Sequence, residues 1–410
     1  MLKFLNLLLL FIAIALPTDH STTTLLFSLN ILGFKLLFTD IFFLFLLFCS
    51  VLLKKSYDNL DLFIGIFVFF VFITSVILCL FNSYLFKQLL YDFRPILYLC
   101  IFTFNKDFFY FKRDTIFFVI LFGLFVYSII CFSYFILGPE SSIIFQDMNL
   151  GRIVFHNDYL FIIGVPLVIY GVKNTNYSLL KRFACFCLLF CFSLKLFLSM
   201  GRGITFFVGF SVFIYLMKDL KRIKTKSFVF YISVFLTLFS TYKSVLGLLL
   251  GDSVDTILEY SESRYNTSSD GFQENQIDNR STMFYTGFNE IKQSPIFGHG
   301  AGYTFKIDSK EWEEKVSFVD SSLLTALIRY GVIGAFFLYG IIILVLYRNY
   351  LKIKANLIQT NSIIKYVNTS LTIILIYTLF NSLLVASYSI IAFYWLVVWV
   401  YHNQSRFEIN

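Results

Sequence analysis

The stretch LFIGIFVFFVFITSVILCLF, residues 62–81, contains no charged side chain and is long enough to cross a bilayer as a helix. Runs of this kind recur along the whole chain, and they decide its class. Only 14% of the 410 residues are charged and 58% are hydrophobic, against about 25% charged in an ordinary soluble domain. Requiring about 20 residues per crossing gives about twelve spans. Their approximate limits are 4–17, 35–53, 62–81, 85–104, 115–136, 157–172, 179–199, 203–217, 227–249, 321–347, 363–383 and 386–401. The expected fold is an all-α, polytopic membrane protein. A membrane part of nine helices fills 1–249, a large outer loop fills 250–320, and three more helices fill 321–410. The segment 21–34 starts polar and is short, so it is expected on the outer surface. MLKFLNLLLLFIAIALP resembles a signal peptide, but no small-x-small cleavage site follows it, so it reads as the first span.

The formal charge of +8 does not call for nucleic acid, because most of the basic residues fall in short loops. Lys54 and Lys55; Lys106, Lys112 and Arg113; Lys173, Lys181 and Arg182; Lys218 to Lys226; and Arg348, Lys352 and Lys354 all share one side. Lys3 and Arg406 put both ends there, and the positive-inside rule makes that side cytoplasmic. The seven cysteines lie within apolar segments and read as small buried hydrophobes. Neither His156 nor His299 has a second His or a Cys at zinc-ligand spacing, no Walker, HExxH or GxSxG pattern occurs, and no cofactor is implied.

The unusual polar residues gather on the opposite face. Its long loop ends in DNRSTMFYTGFNEIKQSPIFGHGAGYTF. Here Ser281–Gln293 is expected to form a short helix, with Met283, Phe284, Phe288 and Ile291 free to pack, stopped by Pro295 and the glycines of FGHGAG. Arg152, Arg202, Arg264 and Arg280 are arginines that the positive-inside rule does not supply. Arg202 sits between Gly201 and Gly203 at the outer end of a span, and its planar fork suits phosphate oxygens; the alternative is an arginine snorkelling to the interface. Asp92 and Arg94 lie inside the fourth span beside Pro95. They either face a pathway or neutralise each other. His156 and His299 lie at outer boundaries, as does Tyr303. Asp320 stands at the entrance of a long helix, either as its N-cap or as a carboxylate that orients or deprotonates a sugar hydroxyl.

Three stretches together resemble the O-antigen ligase / Wzy polymerase superfamily. SMGRGITFFVGF is similar to that family's Ser-Arg-Gly segment opening a span, with Gly201 in place of Ser. DNRSTMFYTGFNEIKQSPIFGHGAGYTF resembles its outer-loop pattern of Arg, helix, Pro and Gly-x-Gly. VDSSLLTALIRYGVIGAFFLYG resembles its His-Asn-x-x-Leu…Gly-x-x-Gly helix, with Asp320 where ligases usually carry His. The resemblance implies a GT-C-like enzyme of the bacterial inner membrane that moves a glycan from undecaprenyl diphosphate on the outer face. Arg202 and Arg280 are then the expected pyrophosphate contacts. Arg152, Arg264, His156, Arg94, His299 and Tyr303 are further substrate-binding candidates, and Asp320 is the candidate proton acceptor. Polymerisation of lipid-linked repeat units is the first expectation, ligation to lipid A–core the second, and flipping of the lipid-linked sugar the third. The expected partners are the lipid-linked oligosaccharide, the bilayer and a chain-length regulator protein. The chain lacks the internal repeat and two-halves symmetry that mark many transporters.

Overall fold

The computed structural model describes residues 1–16, 28–31, 34–54, 56–82, 84–137, 143–145, 150–152, 156–199, 202–219, 272–308, 313–316, 319, 321–355, 363–381, 383–386 and 390–403. The expected span 227–249 and the acidic start of the outer loop lie outside the described residues. Among the described residues, four helices are long and apolar enough to cross a membrane: Asn59–Asn82, Arg113–Ser133, Ser322–Lys354 and Ile363–Phe380. Shorter apolar helices join them at Leu2–Ala15, Phe38–Leu53, Gly203–Leu216 and Ile390–Asn403. The chain is a multi-pass membrane protein.

Contacts divide the chain into two compact units. The first comprises Met1–Tyr127, Phe155–Leu160 and Asn279–Asn410; the second comprises Ser128–Val154 and Phe161–Asp278. In chain order the first unit begins with helix α1 (Leu2–Ala15), hairpin β1 (Ser28–Ile31) and β2 (Phe34–Leu37), α2 (Phe38–Leu53), α3 (Asn59–Asn82), α4 (Phe86–Leu97) and α5 (Arg113–Leu137), whose last turns pass into the second unit. The expected second span thus starts as a strand. Its helix begins only where the backbone N–H of Leu37 donates to Asp40 Oδ2 at 2.8 Å, a local cap that ends the strand. The expected fourth span also divides. Pro95 removes an amide from α4, and the chain continues as a 3-10 helix over Tyr98–Thr103.

The second unit holds hairpin β3 (Ile143–Phe145) and β4 (Leu150–Arg152), then α6 (Phe161–Lys173), α7 (Leu179–Ser199) and α8 (Arg202–Asp219). These helices pack on one another. Ser211 Oγ donates to the Ile162 carbonyl at 2.9 Å, and the rings of Phe161 and Phe192 meet edge to face at 5.2 Å. Helix α9 (Phe272–Gln293) follows, longer than expected at its N-terminal end. The first unit resumes with hairpin β5 (Phe305–Asp308) and β6 (Glu313–Val316), α10 (Ser322–Ala355), α11 (Ile363–Tyr377), the single turn α12 (Leu383–Ala386) and α13 (Ile390–Asn403). The three hairpins, all antiparallel, are the only sheets among the described residues.

Helix α13 is apolar on every side, from Ile391 to Val400, and it is buried on every side as well. Lipid is as apolar as leucine, so packing and interhelical hydrogen bonds do the work here. Trp395 Nε1 donates to Asn6 Oδ1 at 2.9 Å, and Asn6 Nδ2 donates to the Phe108 carbonyl at 3.0 Å. The last carbonyls of α1 face Asn157, whose Nδ2 lies 3.2, 3.1 and 3.1 Å from the Ala13, Ile14 and Leu16 oxygens. These side chains satisfy backbone groups that hydrocarbon would leave bare.

Candidate active site

The helix expected after Asp320 is not continuous. Ser322–Tyr330 and Val332–Ala355 are joined through Gly331, whose φ of 64° and ψ of −173° belong to neither helix. Such a break strips backbone groups of their helical partners, and at membrane depth they must find others within the protein. The turn SPIFGHGAG, residues 294–302, supplies them. The N–H groups of His299 and Gly300 donate to the Ile328 and Arg329 carbonyls at 2.8 and 2.7 Å. The Val332 N–H donates to the Pro295 carbonyl at 2.9 Å, and Ile333 reaches Ile296 at 3.4 Å. Only glycines allow this approach. A Cβ on Gly298, itself at φ 69°, would lie 2.5 Å from the Arg329 carbonyl carbon, and one on Gly331 would lie 2.1 Å from the Ile296 oxygen.

The turn also reaches two earlier helices. Ala301 N–H donates to Ser75 Oγ of α3 at 3.0 Å, and Gly302 N–H donates to Asp92 Oδ2 of α4 at 3.1 Å. Asp92 pairs with Arg329 of α10, Oδ1 to Nη2 at 2.9 Å, and accepts from Gln88 Nε2 at 3.1 Å. Arg94 is turned to a different partner. Its Nη2 lies 3.4 Å from Asp40 Oδ2 of α2, the Tyr98 hydroxyl donates to Asp40 Oδ1, and the guanidinium lies over the Tyr91 ring. Mutual neutralisation of Asp92 and Arg94 is therefore not what the helix builds. Positions two apart do not share a face, and each charge instead takes a partner from another helix. Arg94 is 5% exposed and committed to that pair.

Above the turn sits a smaller cluster. The His299 ring stacks on Tyr303 with centroids 4.1 Å apart and planes 11° apart. The Tyr303 hydroxyl donates to Glu290 Oε2, and His299 Nε2 lies 3.0 Å from the Glu290 carbonyl near the end of α9. Tyr84 meets Tyr303 at 5.7 Å. Burial, and then the Glu290 carboxylate, push the Tyr303 phenol up, so it stays a donor. Below this cluster Met283, Phe284 and Ile291 of α9 pack on Phe305, Val319, Leu324 and Ile328, as their spacing predicts; Phe288 is 53% exposed instead.

Of the sequence candidates, the first unit therefore brings together His299, Tyr303 and the neighbourhood of Asp92, with Arg94 engaged separately. Arg280 lies on α9, with its side chain outside the described set; the same holds for His156, which opens the 3-10 helix His156–Leu160. Arg202 is the first residue of α8 and Arg152 the last of β4, both in the second unit and again without a described side chain. Arg264 and Asp320 lie outside the described residues. Sequence reasoning passed over Arg329, Asp40 and Glu290. Arg329 had a signal: it is the one charge in SSLLTALIRYGVIGAFF, and such a residue in an apolar run implies an interior partner.

Residues 187–339 match the Wzy_C family model, described as O-Antigen ligase. No curated protein matches the chain. The family covers both ligases and Wzy polymerases, membrane enzymes that act on lipid-linked glycans.

Proposed function

We propose that this multi-pass chain, whose residues 187–339 match the Wzy_C family model, polymerises lipid-linked oligosaccharide repeat units on the outer face of the bacterial inner membrane. The observation that carries this reading is the extent of the match. One continuous stretch includes the Arg202 entry to α8, Arg280 on α9, the glycine turn, and the Asp320 entrance to α10. Both termini are then cytoplasmic, in keeping with the Lys and Arg of the short loops.

In the proposed reaction an acceptor sugar hydroxyl attacks the anomeric carbon of the donor glycan. The new glycosidic C–O bond forms as the anomeric carbon–oxygen bond to the pyrophosphate breaks, and undecaprenyl diphosphate leaves with the electron pair. Arg202 and Arg280 stabilise the charge growing on its phosphates. Asp320 takes the proton from the attacking hydroxyl.

Deletion of the gene, with surface glycan resolved on a gel, tests this directly. Loss of a polymerase leaves a single repeat unit on its anchor. The family description favours a second reading, ligation to lipid A–core; loss of a ligase leaves no unit attached, and lipid-linked chains accumulate. Loss of a flippase holds the donor on the cytoplasmic face. Any pattern but the first overturns polymerisation.

Asp320 is separable from the fold by isosteric change. If it is the base, Asp320→Asn falls with Asp320→Ala, by about 10²- to 10⁴-fold in chain elongation by isolated membranes. An Asn variant with wild-type elongation removes Asp320 as the base and leaves it a hydrogen-bonding role; the first turn of α10 is capped by Ser321, whose Oγ accepts from the Leu324 N–H at 3.4 Å.

A further inference from the structure

We propose that Asp92 and Arg329 are positioning residues, which hold the FGHGAG turn in the broken helix so that His299 and Tyr303 meet the glycan at one fixed place. The proposal rests on the functional reading above for what the turn faces, and on geometry alone for what holds it. Arg329 is 1% exposed and the Asp92 side chain 9%, so neither is placed to touch a sugar.

A buried ion pair is a poor source of stability. Well-packed apolar residues of the same volume serve as well or better, and charge inside a membrane span adds to the cost. What the pair does provide is a single geometry. Residue 329 grips the turn twice: its carbonyl accepts from Gly300 at 2.7 Å, and its guanidinium orients the Asp92 carboxylate that accepts from Gly302 at 3.1 Å. Gln88 of α4 holds the same carboxylate, and the Tyr330 hydroxyl donates to the Asp92 carbonyl at 3.2 Å. Three elements therefore converge on the Asp92 carboxylate: α4 through Gln88, the first part of α10 through Arg329, and the turn through Gly302. Sliding any of them breaks several bonds at once. The turn in turn carries His299 and Tyr303, whose stacked rings and shared Glu290 leave their directions set by where residues 298–302 sit.

Disulfide trapping reads the docking without reference to substrate. Ser75→Cys with Ala301→Cys replaces two positions already 3.0 Å apart from amide to hydroxyl. The rate of cross-linking in isolated membranes under mild oxidation is compared with and without Asp92→Leu/Arg329→Met, a pair chosen to leave no lone charge. We expect the apolar pair to insert and accumulate normally, to cross-link about tenfold more slowly, the effect of losing a charged hydrogen bond, and to lose long glycan chains. Oxidising the cysteine pair in that background should restore them. Arg329→Lys, which keeps the charge and loses the fork, should fall between the two, and it decides the matter if the apolar pair fails to accumulate. An unchanged cross-linking rate overturns the proposal, as do normal chains alongside slow cross-linking, or trapped turns without restored chains. If gene deletion shows that the chain is not a polymerase, the cross-linking rates still decide whether the pair holds the turn.

Discussion

Arg202→Ala abolishes long glycan chains while the protein accumulates in the membrane at its normal level, and Arg202→Lys does not bring them back. The expected loss is about 10²- to 10³-fold in elongation, the effect of removing one group aimed at developing charge. Arg202 is the first residue of α8, at the positive end of that helix's dipole. The arginine and the dipole together suit a phosphate. Lysine supplies the charge as a point and cannot bridge two oxygens. Gel analysis of surface glycan, with the protein quantified by immunoblot, checks both variants. Normal chain length in either one, at normal expression, removes Arg202 from the pyrophosphate.

The second large effect is on stability. Gly331→Ala asks an L side chain to adopt φ 64° and ψ −173°, a region that costs of order 1–3 kcal/mol for non-glycine residues. The new methyl would also stand 2.1 Å from the Ile296 oxygen and 2.4 Å from its carbonyl carbon, and the turn would have to leave. Its departure would strand the Ile328 and Arg329 carbonyls at the break. We expect a total of about 3 kcal/mol or more, since each buried backbone group left without a partner adds about 1–3 kcal/mol. Gly340→Ala, further along the same helix with nothing within 4 Å, is the matched control; it should be neutral or gain up to about 1 kcal/mol of helix propensity. Thermal unfolding in detergent separates them. A Gly331→Ala melting temperature within about 2 °C of wild type would show that the break is not the joint described above.

Sequence and structure agree wherever a boundary is made by local chemistry. The limits 179–199 expected for one span are those of α7, and α8 begins one residue before the expected 203. Arg202, Lys181 and Lys218 punctuate these runs, and charge is visible residue by residue. Disagreement begins where a distant segment completes the structure. A glycine in an apolar helix is usually tolerated, and nothing near Gly331 announces that residues 295–300 will fill the gap. The local view also offered Arg94 as the only counter-charge for Asp92, since their true partners, Arg329 and Asp40, come from helices far off in sequence. Of the candidate site, the His299–Tyr303 turn was legible because glycines cluster around it. Glu290 was not: on a polar helix one carboxylate looks like another until Tyr303 and His299 fold back onto it.

The burial of α13 has a consequence for how the protein is made. Chains enter the membrane from the N-terminus onward, so α1 and the 3-10 segment Tyr98–Thr103 are inserted, and the loop at Phe108 is in place, long before Ile390–Asn403 is synthesised. Until then Asn6 has no indole to receive, and the Phe109 carbonyl waits for Asn403. Assembly of the first unit is therefore a late, post-insertion event. A ribosome that stalls before residue 390 leaves the first unit without the helix that carries the buried Trp395 and Trp399.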